Sequence, residues 1–231
     1  MRIRVKHNHI VSFSGGKDST AMLFMMLDRG MVIDGVVHAQ TGYDFPEMIE
    51  HIDKVEGMIA PLTIDRVDIE FDYWFNHIRS KGPRKGTRGY GWPNMKNRWC
   101  TALKRQYSIR YTKKTYGKDI VEYIGIAADE SHRVEKCRKQ KWWETQYPLV
   151  DWGVAEADAL EFCHKLGFDW GGLYERMGRV SCYLCPLSRI EELRIVYEEY
   201  PELWERMREL DKLSDRPFRD GLERLEEKFN G

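Results

Sequence analysis

His9-Ile10-Val11-Ser12-Phe13-Ser14-Gly15-Gly16-Lys17-Asp18-Ser19-Thr20-Ala21-Met22-Leu23 is the stretch from which the fold of this chain is read. Ile10, Val11 and Phe13 form a short apolar run of strand type, and Met22, Leu23, Met26 and Leu27 follow at helical spacing. The turn between them is built from small residues. Gly15 and Gly16 can take backbone angles closed to other residues, so consecutive N–H groups can face one concavity. Ser14, Asp18 and Ser19 suit the cap and first turn of the following helix. Such a junction offers an anion both unpaired amides and the positive end of a helix dipole, which makes it a phosphate site for Ser12, Ser14, Gly15, Gly16, Lys17, Asp18 and Ser19. A bend that merely needed two glycines would not require Lys17, Asp18 and Ser19 together.

Outward from this junction, strand-like and helix-like pieces alternate. Val32-Ile33-Asp34-Gly35-Val36-Val37-His38-Ala39 reads as a second strand, and Pro46 suits the first turn of a helix through Met48, Ile49, Ile52 and Val55. Residues 64–69 and 120–126 supply a third and a fourth strand. The alternation predicts an α/β fold, a parallel sheet sandwiched by helices in a Rossmann-like manner. Ligands of such sheets lie beyond the carboxyl ends of the strands, where residues 14–19, 41–47 and 127–133 would converge. The last part reads as helices over 190–200, from Pro201 through Leu203, Met207 and Leu210, and over 218–229. The expected division is a domain over 1–188 and a small helical C-terminal appendage over 189–231.

At 231 residues the chain is long enough for one enzyme-sized core, and its formal net charge of +0 selects no partner. No stretch is apolar enough to span a bilayer, and Met1-Arg2-Ile3-Arg4-Val5-Lys6 lacks the hydrophobic segment of a secretory signal. The expected location is therefore the cytoplasm, with no membrane partner. There the five cysteines, Cys100, Cys137, Cys163, Cys182 and Cys185, read as thiols or metal ligands rather than disulfide partners. Cys163 shares a helical face with Ala159, Leu160 and Leu166 and reads as a small buried hydrophobe.

Cys182 and Cys185 form C-x-x-C followed by Pro186, with Cys100 far upstream in a glycine- and arginine-rich loop. A two-residue spacer lets both thiolates meet one metal, and the fold can bring in Cys100. Three thiolates on a [4Fe–4S] cluster would leave one iron open to substrate or to a sulfide for transfer. A structural Zn2+ site and a redox dithiol stay open as readings of the same pair.

Charge is uneven despite its zero sum. Residues 79–118 contain no Asp or Glu, while Arg79, Lys81, Arg84, Lys85, Arg88, Lys96, Arg98 and Lys104 lead a long series of cations. Tyr90, Trp92 and Trp99 would supply flat faces, and Arg138, Lys139 and Lys141 with Trp142 and Trp143 extend the pattern. Basic groups interleaved with aromatics suit a nucleic acid backbone and unstacked bases. The competing reading is a solubilising surface balanced by the acidic C-terminal helices.

Residues 14–19 read SGGKDS, which resembles the pyrophosphate-binding loop of the ATP pyrophosphatases and lacks the spacing of a Walker loop. Gln40-Thr41-Gly42-Tyr43-Asp44-Phe45-Pro46-Glu47 is similar to the TG-x-x-FPE segment of the phosphoadenylyl-sulfate reductase family. Arg98-Trp99-Cys100-Thr101-Ala102-Leu103-Lys104 resembles its WCT-x-x-K segment, Gly125 through Glu130-Ser131-His132-Arg133 its G-x-x-x-x-ES-x-R segment, and Tyr147-Pro148-Leu149-Val150-Asp151-Trp152 its P-I-x-D-W segment. With Cys182-Tyr183-Leu184-Cys185-Pro186 as the C-x-x-CP counterpart, the shared order covers residues 10–190.

The resemblance implies an adenine nucleotide alpha hydrolase-like fold with an adenosine nucleotide at the strand ends. It implies that amides at Gly15 and Gly16 hold phosphate oxygens of ATP, that Lys17 neutralises them and that Asp18 places Mg2+. Thr41, Gly42 and Gly125 would line the nucleotide, and Arg133 would reach a further phosphate. The cysteines resemble those of cluster-bearing ATP pyrophosphatases that thiolate nucleic acids, and those of the sulfur-transfer subunit of DNA phosphorothioation systems. The latter carry four cysteines, which makes Cys137 the candidate for a fourth ligand beside Cys100, Cys182 and Cys185. The sulfonucleotide reductases of the family use a nucleophilic cysteine in a C-terminal tail, and no cysteine follows Cys185 here. The expectation is an ATP-dependent, adenylating sulfurtransferase that releases pyrophosphate. Its expected partners are a nucleic acid acceptor bound through residues 79–118, a sulfur-donor protein and a second copy in a homodimer. The alternatives are an adenylyl-sulfate or phosphoadenylyl-sulfate reductase and a zinc-stabilised nucleic-acid-binding module without catalysis.

Overall fold

The computed structural model describes residues 7–137, 142–180 and 182–231, apart from the side chains of Lys136 and Cys137. The strands are β1 (Asn8–Ser12), β2 (Gly35–Gln40), β3 (Ile64–Asp68), β4 (Ile120–Ile124) and β5 (Glu144–Gln146). They form one sheet in the order β3-β2-β1-β4-β5, with parallel pairing between β1 and β2, β1 and β4, and β4 and β5. The α/β parallel-sheet architecture expected from the alternation is the one observed. β5 leaves no trace in the hydropathy pattern, because Glu144-Thr145-Gln146 has no apolar face. Backbone pairing with Val121, Glu122 and Tyr123 holds it at the edge.

The helices are α1 (Lys17–Asp28), α2 (Pro46–Met58), α3 (Phe71–Asn76), α4 (Trp99–Tyr116), α5 (His132–Cys137), α6 (Pro148–Asp151), α7 (Glu156–Lys165), α8 (Leu173–Arg176), α9 (Ile190–Glu199), α10 (Pro201–Leu213) and α11 (Leu222–Asn230). β2 starts at Gly35 rather than Val32 and β4 ends at Ile124 rather than Ile126, and two further differences from expectation have a plain local cause. Cys100 lies in the first turn of α4 and not in a loop, because no glycine or proline interrupts the chain from Trp99 until Gly117. The last helix starts at Leu222 rather than at Phe218. Arg219 and Gly221 have φ of 51° and 110°, which no helix accommodates, and Phe218 is instead fully buried.

The chain divides into two compact units. The first comprises Met1–Ala39, Pro46–Val67 and Arg105–Tyr174 and contains most of the sheet. Ile10, Val37, Val67 and Ile120 cluster in its core, with Tyr107, Tyr111 and Tyr116 of α4 packed on them. Each such aliphatic side chain contributes about 1.5–3 kcal/mol by leaving water. α1 is buried along most of its length and packs on α7, where Cys163 is wholly inaccessible, as its helical face suggested.

The second unit comprises Gln40–Phe45, Asp68–Lys104 and Glu175–Gly231 and is packed by aromatic rings. Phe71 and Trp99 have centroids 4.8 Å apart, Phe75 and Trp92 5.0 Å, and Trp92 and Phe218 4.9 Å. Trp92 and Trp99 are only 3% and 5% exposed, so the faces expected to receive bases are used within this core instead. Among the described residues, no helix is long and apolar enough to cross a membrane.

Candidate functional site

In the first unit the chain passes from β1 to β2 on one side and returns to β4 on the other. This reversal opens a crevice beyond the carboxyl ends of β1 and β4, the place where open α/β sheets bind ligands. Residues 14–19 leave β1 into that crevice. Gly15 has φ of 81°, a backbone angle that demands glycine, and a Cβ on it would also press on Met48 Sδ at 2.8 Å. Its carbonyl accepts a hydrogen bond from Trp170 Nε1 at 2.9 Å. The Ser14 and Ser19 hydroxyls lie 2.9 Å apart, and Ser19 Oγ also donates to the Gly16 carbonyl at 3.0 Å. These bonds shape the loop from within.

Gly16 caps α1 without any side-chain hydrogen bond. The first-turn amides of a helix have no partner inside it. Here the Lys17 amide donates to Tyr174 Oη at 3.0 Å, while the Asp18 and Ser19 amides make no hydrogen bond among the described residues. Gly125, which follows β4, is constrained by space. A Cβ there would lie 2.8 Å from the Ser19 Cα and nitrogen.

Acidic groups gather at the same loop. Carboxylate oxygens of Asp18, Glu130 and Glu156 all lie within 4.8 Å of one another. Lys17 Nζ is 3.3 Å from Asp18 Oδ1 and 3.3 Å from Glu156 Oε1. Burial pushes the Asp18 carboxyl above its usual range, against the pull of Lys17 and with help from Glu156 and Glu130. A divalent cation would relieve this crowding, since three carboxylates offer hard oxygen ligands. Arg133, expected to reach a phosphate, is an exposed residue of α5 that donates to Glu130 Oε2. Glu156 escapes sequence reading altogether, because it belongs to no motif and only the fold brings it to Asp18.

The second unit gathers the thiols. Cys182 Sγ is 3.1 Å from Thr41 Oγ1 and 3.6 Å from Asp44 Oδ1. The Tyr183 amide donates to the Tyr43 carbonyl at 3.1 Å, which ties the C-x-x-C turn to residues 41–45. Within that turn the Cys185 amide donates to the Cys182 carbonyl at 3.1 Å. Cys100 and Lys104 are four residues apart on α4 and share a face. Burial pulls the Lys104 ammonium down, yet the negative potential of Cys182, Asp44, Cys100 and Cys185 outweighs it and holds Lys104 above its ordinary value. Burial pushes the Cys182 thiol up to about 12 and raises Cys100 as well. Such thiols ionise readily only with added positive charge, from Lys104 and from a bound metal.

The fold thus brings Cys100, Cys182 and Cys185 together with Lys104 and Asp44. The side chain of Cys137, expected as a fourth ligand, lies outside the described residues, as do Arg138, Lys139 and Lys141. Thr41, expected at the nucleotide, places its hydroxyl on Cys182, and Gly42 is exposed with φ of 78°. Lys104 is legible from sequence once Cys100 is placed on a helix, while Asp44 carries no such signal.

Residues 8–199 match the phosphoadenosine phosphosulfate reductase domain. The chain is 27% identical over 217 residues to an uncharacterised protein of Methanocaldococcus jannaschii, with 88% of this chain and 41% of the relative covered. It is 26% identical over 202 residues to a second uncharacterised protein of that organism, with 84% of this chain and 45% of the relative covered. It therefore spans less than half the length of these two relatives. A 37.8 kDa protein of Escherichia phage 186 is 22% identical over 255 residues, covering 89% of this chain and 75% of that protein. Among solved structures, the U34-tRNA thiolase NcsA of Methanococcus maripaludis with its [4Fe-4S] cluster is similar at a TM-score of 0.46 and 13% identity, covering 92% of this chain and 75% of that one.

Proposed function

Because the chain belongs to the phosphoadenosine phosphosulfate reductase domain family, we propose that it is a nucleotide-dependent sulfur-transfer enzyme that binds ATP at residues 14–19 and cleaves it to AMP and pyrophosphate. The observation that carries this reading is the trio Asp18, Glu130 and Glu156 at the mouth of the loop. Three carboxylates beside a phosphate site repel a bare polyanion and accept one that arrives with Mg2+, which favours ATP over an adenylyl sulfate.

The residues then divide the work. The free amides of Asp18 and Ser19 and the dipole of α1 hold phosphate oxygens, and Lys17, turned from Glu156 to the ligand, stabilises charge on the departing pyrophosphate. An acceptor oxygen attacks the α-phosphorus, the bond from that phosphorus to the bridging oxygen breaks, and pyrophosphate leaves. A sulfur nucleophile next attacks the atom bearing the adenylated oxygen, which departs as AMP. Cys100, Cys182 and Cys185 would hold a [4Fe–4S] cluster whose open iron supplies a place for sulfide. Lys104 neutralises their thiolates, and Thr41 and Asp44 orient Cys182. A nucleic acid acceptor, bound through the basic run that starts at Arg79, fits this chemistry; a sulfur-donor protein and a homodimer would complete the assembly.

The test is anaerobic purification with metal analysis and a visible spectrum, followed by an assay of pyrophosphate release from ATP with Mg2+. The expected protein is brown, contains iron and inorganic sulfide, and releases pyrophosphate in an acceptor-dependent manner. A colourless zinc protein without pyrophosphate release would favour the binding module. Thiol-dependent sulfite release without ATP would favour the reductase.

A further inference from the structure

Two adjoining cavities of the second unit belong to neither site above. The first, of about 190 Å3, is lined by Arg79, Arg84, Arg88 and Arg216 around Tyr90, with Asp215 as its one carboxylate. The loop carrying the first three arginines is pinned by its own backbone. The Arg79 amide donates to the Thr87 carbonyl at 3.0 Å, and the Gly86 amide to the Arg79 carbonyl at 2.8 Å. Gly89 seats the loop, since a Cβ there would lie 2.2 Å from the Phe75 carbonyl oxygen.

Three of the four guanidiniums are steadied by neutral acceptors rather than by acids. Arg79 Nε donates to the Gly89 carbonyl at 3.2 Å, Arg88 Nη1 to that of Leu213 at 2.7 Å, and Arg216 Nη2 to that of Tyr90 at 3.1 Å. Arg79 also lies over the Tyr90 ring, 5.4 Å from its centroid. Among the described residues none of the four forms an ion pair, so each keeps its charge and spare N–H donors for an anion. A fork of such donors matches the oxygens of a phosphate.

Arg216 also borders the second cavity, of about 420 Å3, whose walls include Pro93, Met95, Pro186 and Pro217. Met95 is 71% exposed. Pro186 directly follows Cys185, so this apolar recess adjoins the thiol-bearing turn. A cationic pocket and an apolar one sharing an arginine match the repeating chemistry of a polynucleotide, whose phosphates alternate with flat apolar bases.

We propose that this face binds a single-stranded nucleic acid, with a phosphodiester in the arginine pocket and an unstacked base in the recess beside Met95 and Pro186. The identity of the strand as the sulfur acceptor rests on the function proposed above; the binding itself does not. Single strands are favoured because a base that is paired and stacked within a duplex cannot turn out into such a recess.

The experiment measures fluorescence anisotropy of labelled single-stranded RNA, single-stranded DNA and duplex DNA with the full chain across a salt series. Comparison proteins are Arg84→Gln/Arg216→Gln and Met95→Ala, each checked for an unchanged melting temperature. Loss of two of the guanidiniums that neutralise this phosphate is expected to weaken single-strand binding at least tenfold and to reduce the slope of log K against log salt by about 0.7, the value for one phosphate. Met95→Ala should weaken binding with the slope unchanged, and the RNA and DNA arms show which sugar is preferred. Wild-type affinity and slope in the arginine variant would overturn the proposal, as would equal binding of polyglutamate or tighter binding of duplex. ATP binding is measured on the same samples. Its loss with strand binding intact would sink the proposed reaction alone, and its retention without strand binding would sink this inference alone.

Discussion

A Cβ on Gly125 would lie 2.8 Å from the Cα and nitrogen of Ser19, so the end of β4 touches the first turn of α1 with no room for a side chain. The neighbour is backbone, which cannot swing aside. Gly125→Ala should therefore displace the loop at residues 14–19, cost about 1–3 kcal/mol of stability and weaken ATP binding. Gly57, within α2, has nothing within 4 Å of its added Cβ. Gly57→Ala should instead stabilise by about 0.5–1 kcal/mol through helix propensity. Urea unfolding and nucleotide titration of both variants check the opposite signs, and equal effects would refute the contact.

Glu122 on β4 is 3% exposed and is held by Arg105, with the Arg105 Nη2 to Glu122 Oε2 bond at 2.8 Å and a second donor, Trp143 Nε1, at 2.8 Å. Among the described residues, Arg105→Met leaves that carboxylate buried beside a single neutral side-chain donor, Trp143. The expected loss is about 3–5 kcal/mol. Adding Glu122→Gln should recover a large part of it, because the uncompensated charge is gone. A double mutant no more stable than Arg105→Met would contradict this account.

His51 is buried between Phe168 and Trp170, with Nε2 3.0 Å from Thr20 Oγ1. Burial holds its imidazolium down to about 3, aided by Lys54. The unfolded chain takes up this proton below the ordinary value of about 6.5, whereas the folded chain does so only near 3. Stability linked to His51 is thus complete above pH 6.5 and is lost on acidification through the window down to about 3, at about 1.4 kcal/mol per pH unit. Unfolding free energies at pH 6 and pH 4 should fall less steeply in His51→Gln than in wild type. Parallel slopes would mean that other groups carry the acid sensitivity.

Lys104 stands one turn beyond Cys100 with its charge directed to the thiols. Lys104→Met should lower iron retention after anaerobic reconstitution by about tenfold or more, the usual effect of removing a group that supports metal ligands. It should also make the retained centre harder to reduce, because a nearby cation favours the electron-rich state. Iron content and reduction potential equal to wild type would exclude this role.

Much of the fold is legible along the chain. Ile10, Val11 and Phe13, then two glycines, then Met22 and Leu23 at helical spacing, announce a strand, a phosphate turn and a helix through local stereochemistry alone. Repetition of that pattern at residues 35–58 points to a parallel sheet. Trp92 and Trp99 show where such reading fails. The tryptophans of a basic, aromatic-rich stretch look like base-stacking faces until Phe71, Phe75 and Phe218 are found against those rings. Composition records which side chains are apolar and leaves unsaid which of them face one another.

The sequence by itself determined the strand–glycine turn–helix at residues 9–23, the alternation behind the sheet and the identity of three cysteines, because these depend on backbone freedom and on spacing within one segment. Only the tertiary structure decided that Glu156 meets Asp18, that Asp44 and Lys104 face Cys182 and that Arg216 shares a pocket with Arg79. Those pairs are separated by tens to more than a hundred residues, and no local preference encodes a contact whose formation awaits the burial of the core between them.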